Sequence, residues 1–151
     1  MTEIRLLPGL PLTHTPADPA EEAWLLIAEV SALRTGRWMT EAAQVGLTAV
    51  QARALVALDP QAPAKMGVLG SALCIDRASL TELVDQLEGR GYVERKASPQ
   101  DRRVKVLAVT PAGVNARERL IKALITPDSA LDRLSGEQLG AIVTALRQVL
   151  A

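Results

Sequence analysis

Thr81–Gly113 reads TELVDQLEGRGYVERKASPQDRRVKVLAVTPAG, and the order of signals within it decides the fold. Leu83, Val84 and Leu87 continue an apolar stripe begun at Leu80, spaced three and four residues apart as on one helix face. Gly91 punctuates the end of that helix. Two stretches with β-branched residues follow, Tyr92 to Lys96 and Val104 to Val109, around Ala97-Ser98-Pro99-Gln100-Asp101-Arg102-Arg103. Pro, Asp and Ser favour a turn there, so the segment predicts a β-hairpin directly behind a helix. Thr110-Pro111 then opens a new helix, with a capping hydroxyl followed by a proline whose missing N–H costs nothing at that position.

Outward from this stretch the chain reads as helices. The helix before the hairpin starts at Asp76 and runs to Arg90, and another is expected over Met66–Leu73, behind an Ala62-Pro63-Ala64 connector. Thr48 with Gln51 forms a capping-box pattern and Leu47 sits where a hydrophobic staple would. The helix it opens carries Val50, Ala54, Leu55 and Leu58 and stops before Asp59-Pro60. Asp18-Pro19, with Glu21 and Glu22 in the first turn, starts a long helix to about Gln44, and Gly46 ends it. Its apolar face is Ala23, Leu26, Ile27, Val30 and Leu33. The helix after Thr110 runs to about Thr126. Ser135 with Gln138 caps a last one striped by Leu139, Ile142, Val143, Leu146, Val149 and Leu150. Residues 1–17 show no period and read as an irregular arm, with a partner subunit as one surface it could fold against. The expected architecture is mainly α with a small β-hairpin wing, in one domain over 18–151.

Composition agrees. Hydrophobic residues make up 48% of the 151, yet aromatics only 2% and Phe is absent, so the core is built from Ala, Leu, Val and Ile. Ala and Leu lose little side-chain freedom on a helix. Net charge is zero, so the whole-chain balance does not announce a polyanion. Charge is nevertheless clustered: Arg95, Lys96, Arg102, Arg103 and Lys105 stand against Asp101 alone between positions 95 and 105. A single cysteine, Cys74, excludes an internal disulfide, and no early apolar run approaches a membrane span, so a cytoplasmic location is expected. His14 is the only histidine, which argues against a metal site, and no cofactor is expected. An enzyme is the weakest reading: no nucleophile–base pair is close in sequence and no phosphate-cradling glycine loop occurs.

A helix pair followed by a basic hairpin suits duplex DNA. The second helix can enter the major groove, where base edges are distinguishable, and a basic tip can reach the neighbouring minor groove. The candidate groove-facing residues are Arg77, Ser79, Thr81 and Glu82 on the helix and Ser98, Arg102, Arg103 and Lys105 on the hairpin. A solvated helix face and a hydrated turn are the plainer readings of the same residues. Adjacent arginines at a turn tip repel one another unless an anion lies between them, which favours DNA.

The same stretch resembles the MarR family of regulators. The resemblance rests on Leu87-Glu88, Gly91, Glu94-Arg95, Ser98-Pro99, Asp101 with Arg103, and Val109-Thr110 with Gly113, where Val109 replaces the family's leucine; Leu47-Thr48 with Gln51 matches further upstream. It implies a homodimer whose helices over 18–46 and 111–151 interlock above two winged helix-turn-helix lobes, residues 47–110. It also implies double-stranded operator DNA of imperfect palindromic sequence, with Arg103 in the minor groove and Arg102 on phosphate. Asp101 would hold the wing by pairing with nearby arginines, with Arg95 as a second wing-structural residue. A repressor released by a small aromatic or phenolic effector follows, and Trp24, Arg37 and Trp38 are the candidate pocket. Some relatives sense peroxides through a cysteine in the first helix; Cys74 lies elsewhere and reads as a buried structural residue. Control without an effector, control by thiol oxidation, and a winged helix that binds protein are the competing readings. Paired wing arginines weigh against the last.

Overall fold

The computed structural model describes residues 4–5, 13–98, 101 and 103–151. Helix α1 spans Pro19–Gln44; the Asp18 carboxylate accepts from the N–H groups of Ala20 (2.8 Å) and Glu21 (2.9 Å). Gly46, at φ +71, turns the chain away from its end in a conformation that a side chain would strain. Helix α2, Ala49–Ala57, begins with both arms of the Thr48–Gln51 capping box in place. Of the apolar residues it carries, Val50 is exposed, while the polar Gln51 is buried.

Helices α3 (Met66–Leu73) and α4 (Arg77–Gly89) form the helix-turn-helix. The chain passes between them through Cys74, held left-handed at φ 55. Strands β4 (Val93–Ala97) and β5 (Lys105–Val109) pair antiparallel, with Arg95 opposite Leu107 and Ala97 opposite Lys105. The hairpin gains a third strand that the connector reading lacked. Ala64–Lys65, β3, pairs with the other edge of β5, giving the order β3-β5-β4. Two residues cannot display an alternation; the open edge of β5 makes them a strand.

Helix α5 (Pro111–Ile125), a 3-10 turn over Ser129–Arg133, and α6 (Gly136–Val149) complete the described chain. Its other departure from expectation is the arm. Ile4–Arg5 (β1) pairs antiparallel with Thr13–His14 (β2), and β1 lies against α1 of its own chain. His14 Nε2 sits 3.0 Å from Glu21 Oε1, and Glu21 Oε2 accepts from the Ala17 N–H at 2.6 Å.

Leu55, Leu58, Val84, Leu87, Val93, Leu107 and Leu120 fill the core of the winged lobe, and Trp38 and Ala42 bring the C-terminal half of α1 into it. The N-terminal half of α1 leaves Trp24, Leu26, Val30 and Leu33 exposed. Helix α6 buries none of its residues, so Ile142, Val143, Leu146 and Val149 form an uncovered stripe. No described helix is long and apolar enough to cross a membrane.

Candidate nucleic-acid interface

Leu80, Leu83, Val84 and Leu87 anchor α4 to the core. At about 100° per residue, Glu82 lies within about 30° of the centre of the opposite face, with Ser79 and Thr81 on its flanks and Arg77 nearer the buried stripe. All four are exposed. The start of the helix is fixed by Asp76, which accepts from the N–H groups of Ala78 (2.9 Å) and Ser79 (3.0 Å) and from the Ser79 hydroxyl (2.6 Å). The Ser79 hydroxyl first, then the Ser79 amide, hold the Asp76 carboxyl below its ordinary value; burial opposes them and the Ala78 amide adds a lesser pull. Thr81 donates to the Arg77 carbonyl at 2.9 Å. Both hydroxyls thus spend their protons within the helix and offer a partner acceptor lone pairs.

The wing is joined to this helix by Arg95. Its Nη2 meets Asp85 Oδ1 at 2.5 Å, its Nη1 meets Glu88 Oε2, and its backbone N–H donates to Glu88 Oε1 at 3.0 Å. Partial burial alone would lower the guanidinium's pKa; the hydrogen bonds it donates to Asp85 and Glu88 outweigh that and raise it. Arg95, expected to be wing-structural, bonds side chains of α4. Asp85 escaped the sequence reading and Glu88 entered it only as a family-motif residue, although two carboxylates three apart on a helix, with an arginine just past the glycine turn, are the pattern that would have shown them.

The Asp101 carboxylate accepts from the Arg103 N–H at 3.0 Å and its carbonyl from the Val104 N–H at 2.9 Å, the reach expected of a short side chain at a turn. Ser98 is buried and its N–H donates to the Val104 carbonyl at 2.8 Å, so it shapes the wing from inside and does not face a groove. Arg103 and Lys105 are exposed, and neither side chain has an ion-pair partner among the described residues. Lys96 pairs with Glu94 at 2.6 Å. Arg102 lies outside the described residues.

The proposed effector trio is not brought together. Trp24 is two-thirds exposed near the start of α1. Arg37 lines an open groove between α1 and α5 and donates to the carbonyls of Thr126 (3.2 Å) and Pro127 (3.3 Å), capping α5. Trp38 points into a separate cavity of about 490 Å³, between α1, α2, α3 and α5, whose lining includes Met39, Val56, Leu73, Arg34 and Arg53. Neighbours on a helix diverge by about 100°, which separates Arg37 from Trp38. Arg34 and Arg53 come from different helices and carried no sequence signal. Cys74, expected to be buried, is exposed on the turn into α4.

Residues 47–105 match the model of the MarR family. A putative transcriptional regulatory protein for the hcr operon of Thauera aromatica is 37% identical over 54% of this chain and 49% of its own length, so the match spans about half of that relative. The HTH-type transcriptional repressor NicR of Pseudomonas putida is 26% identical over 93% of this chain and 89% of its own. Among solved structures, the S. aureus MepR–DNA complex superposes with a TM-score of 0.70 at 20% identity, over 83% of this chain and 95% of that one. The winged helix-turn-helix fold is shared, and the relatives are transcriptional regulators, not enzymes.

Proposed function

The chain belongs to the MarR family through residues 47–105, and from that premise we propose a transcriptional repressor that binds operator DNA as a homodimer and releases it to a small aromatic or phenolic effector. The observation that carries the DNA reading is the Arg95 clamp. It fixes a wing bearing exposed Arg103 and Lys105 to the helix that exposes Arg77, Ser79, Thr81 and Glu82. With α4 in the major groove, Arg103 falls to the adjacent minor groove and Lys105 to the backbone.

The dimer is supported by the uncovered apolar stripes of α1 and α6. A helix the length of α6 is marginal alone in water and needs an apolar partner. Two lobes related by a twofold axis read an imperfect palindrome with half-sites about 10 base pairs apart. The effector reading moves to the Trp38 cavity. Its size lies in the range of small-molecule sites, about 300–1,000 Å³, and its two arginines suit an aromatic carboxylate. It joins α1 to α2 and α3, so a ligand there can favour one spacing of the two lobes over another.

The test is selection of bound sites from random duplex DNA by the purified chain, followed by titration of the complex with benzoate and salicylate. A palindrome released by either acid is the expected result, and Arg53→Ala should blunt the release. No enrichment at low salt removes the DNA reading; an acid-insensitive complex removes the effector. The exposure of Cys74 favours one second reading, control by thiol oxidation. Peroxide should then weaken the wild-type complex and leave Cys74→Ser untouched.

A further inference from the structure

Near the centre of the outward face of α4 stands an exposed acid, Glu82. An ionised carboxylate only accepts hydrogen bonds and is repelled by phosphates, so Glu82 is out of place on a groove-entering helix unless a base amine meets it. The structure surrounds it with a directed chain of amides. Gln51, buried at the head of α2, accepts the Thr48 N–H on Oε1 at 2.9 Å. That backbone donor fixes which way the Gln51 amide points, so its Nε2 faces α4 and donates to Gln86 Oε1. The Gln86 amide is oriented in turn, and its Nε2 donates to Glu82 Oε1 at 3.2 Å. A capping box in one helix thereby sets the carboxylate of another.

We propose that Glu82 reads a cytosine in each half-site, accepting its N4 amine in the major groove, and that Gln86 and Gln51 are positioning residues for that contact. Cytosine N4 and adenine N6 are the donors on the major-groove edge. Adenine also presents an N7 acceptor that a carboxylate cannot satisfy, which leaves cytosine. The proposal rests on the DNA reading above and adds to it a base and two residues that touch no DNA.

The experiment is the same site selection, run with wild type, Glu82→Gln, Gln86→Leu and Gln51→Glu. Gln51→Glu keeps an oxygen for the Thr48 N–H, so the cap survives, but it has no donor for Gln86. Gln86 is exposed, so Gln86→Leu keeps the fold even if the buried charge of Gln51→Glu does not. The expected result is one cytosine per half-site whose preference falls about tenfold in all folded variants, with the other positions and the salt dependence unchanged. An identical motif from wild type and Glu82→Gln overturns the contact. A preference abolished in Glu82→Gln but kept in Gln86→Leu overturns the relay. Enrichment of no motif by wild type defeats the DNA premise, and the proposal falls with it.

Discussion

Gly113 has no room for a side chain. A Cβ there would stand 2.0 Å from the Tyr92 carbonyl oxygen, which itself accepts the Thr110 N–H at 3.0 Å. Thr110 completes the joint: its hydroxyl donates to the Gly91 carbonyl at 2.5 Å and accepts the Gly113 N–H at 3.0 Å. Gly113→Ala should therefore destabilise the chain by about 3 kcal/mol, the upper end for overpacking, read as a lower urea midpoint. Asp76 gives a pH prediction at the same scale. Its pKa is depressed in the folded chain, so its stabilisation is full above the ordinary value of 3.8 and is lost as pH falls through the lower folded value. Amide exchange at Ala78 and Ser79 should quicken in that acid range for wild type, and the change should be absent in Asp76→Asn, which caps without titrating. An acid-insensitive wild type would refute it. These caps were legible in the sequence because the hydrogen bonds are local. The closeness of Gly113 to Tyr92 was not, since 21 residues separate them and only the folded joint brings them together.

The α4–wing unit depends on Arg95 more than its stability suggests. Its carboxylate partners are substantially exposed, so Arg95→Ala should cost about 1 kcal/mol or less in unfolding free energy. DNA affinity should fall much further, because the wing would no longer be held at a fixed angle to α4. Equal losses in both would mean the clamp is only structural. Arg103→Ala should leave unfolding unchanged and weaken DNA binding, whereas Lys105→Ala should flatten its log–log salt dependence by about 0.9 for the phosphate no longer neutralised; unchanged affinity would remove Arg103 from the interface. Helices and hairpin were readable because periodicity, caps and turn residues all lie within a few positions of one another. Strand β3 and the β1–β2 pair were not, because each is made by an edge that only the fold supplies. The wing arginines were visible as a charge cluster, while Asp85, which bonds Arg95, carried no signal of its own and Glu88 only its place in the family motif.

Across the whole molecule, the large unexplained quantity is apolar surface. Leu26, Val30 and Leu33 on α1 and Ile142, Val143 and Leu146 on α6 are each more than a third exposed in the lone protomer. The sequence showed both stripes but could not show that they stay uncovered after the winged lobe has folded. The proposed second protomer would cover it, and Leu146→Asp should then lower the mass seen by light scattering to that of a monomer while leaving the lobe's own core intact. Pocket residues were the least legible at this scale, since the cavity is drawn from four helices and no single stretch contains it. Paired lobes, each with a helix and a wing, imply a specific pattern on the DNA they protect. Hydroxyl-radical footprinting of a selected site tests it most directly. Two protected half-sites about 10 base pairs apart are expected, each flanked by minor-groove protection that Arg103→Ala removes. A single unpaired footprint, or flanks that persist in Arg103→Ala, would contradict the paired-lobe arrangement.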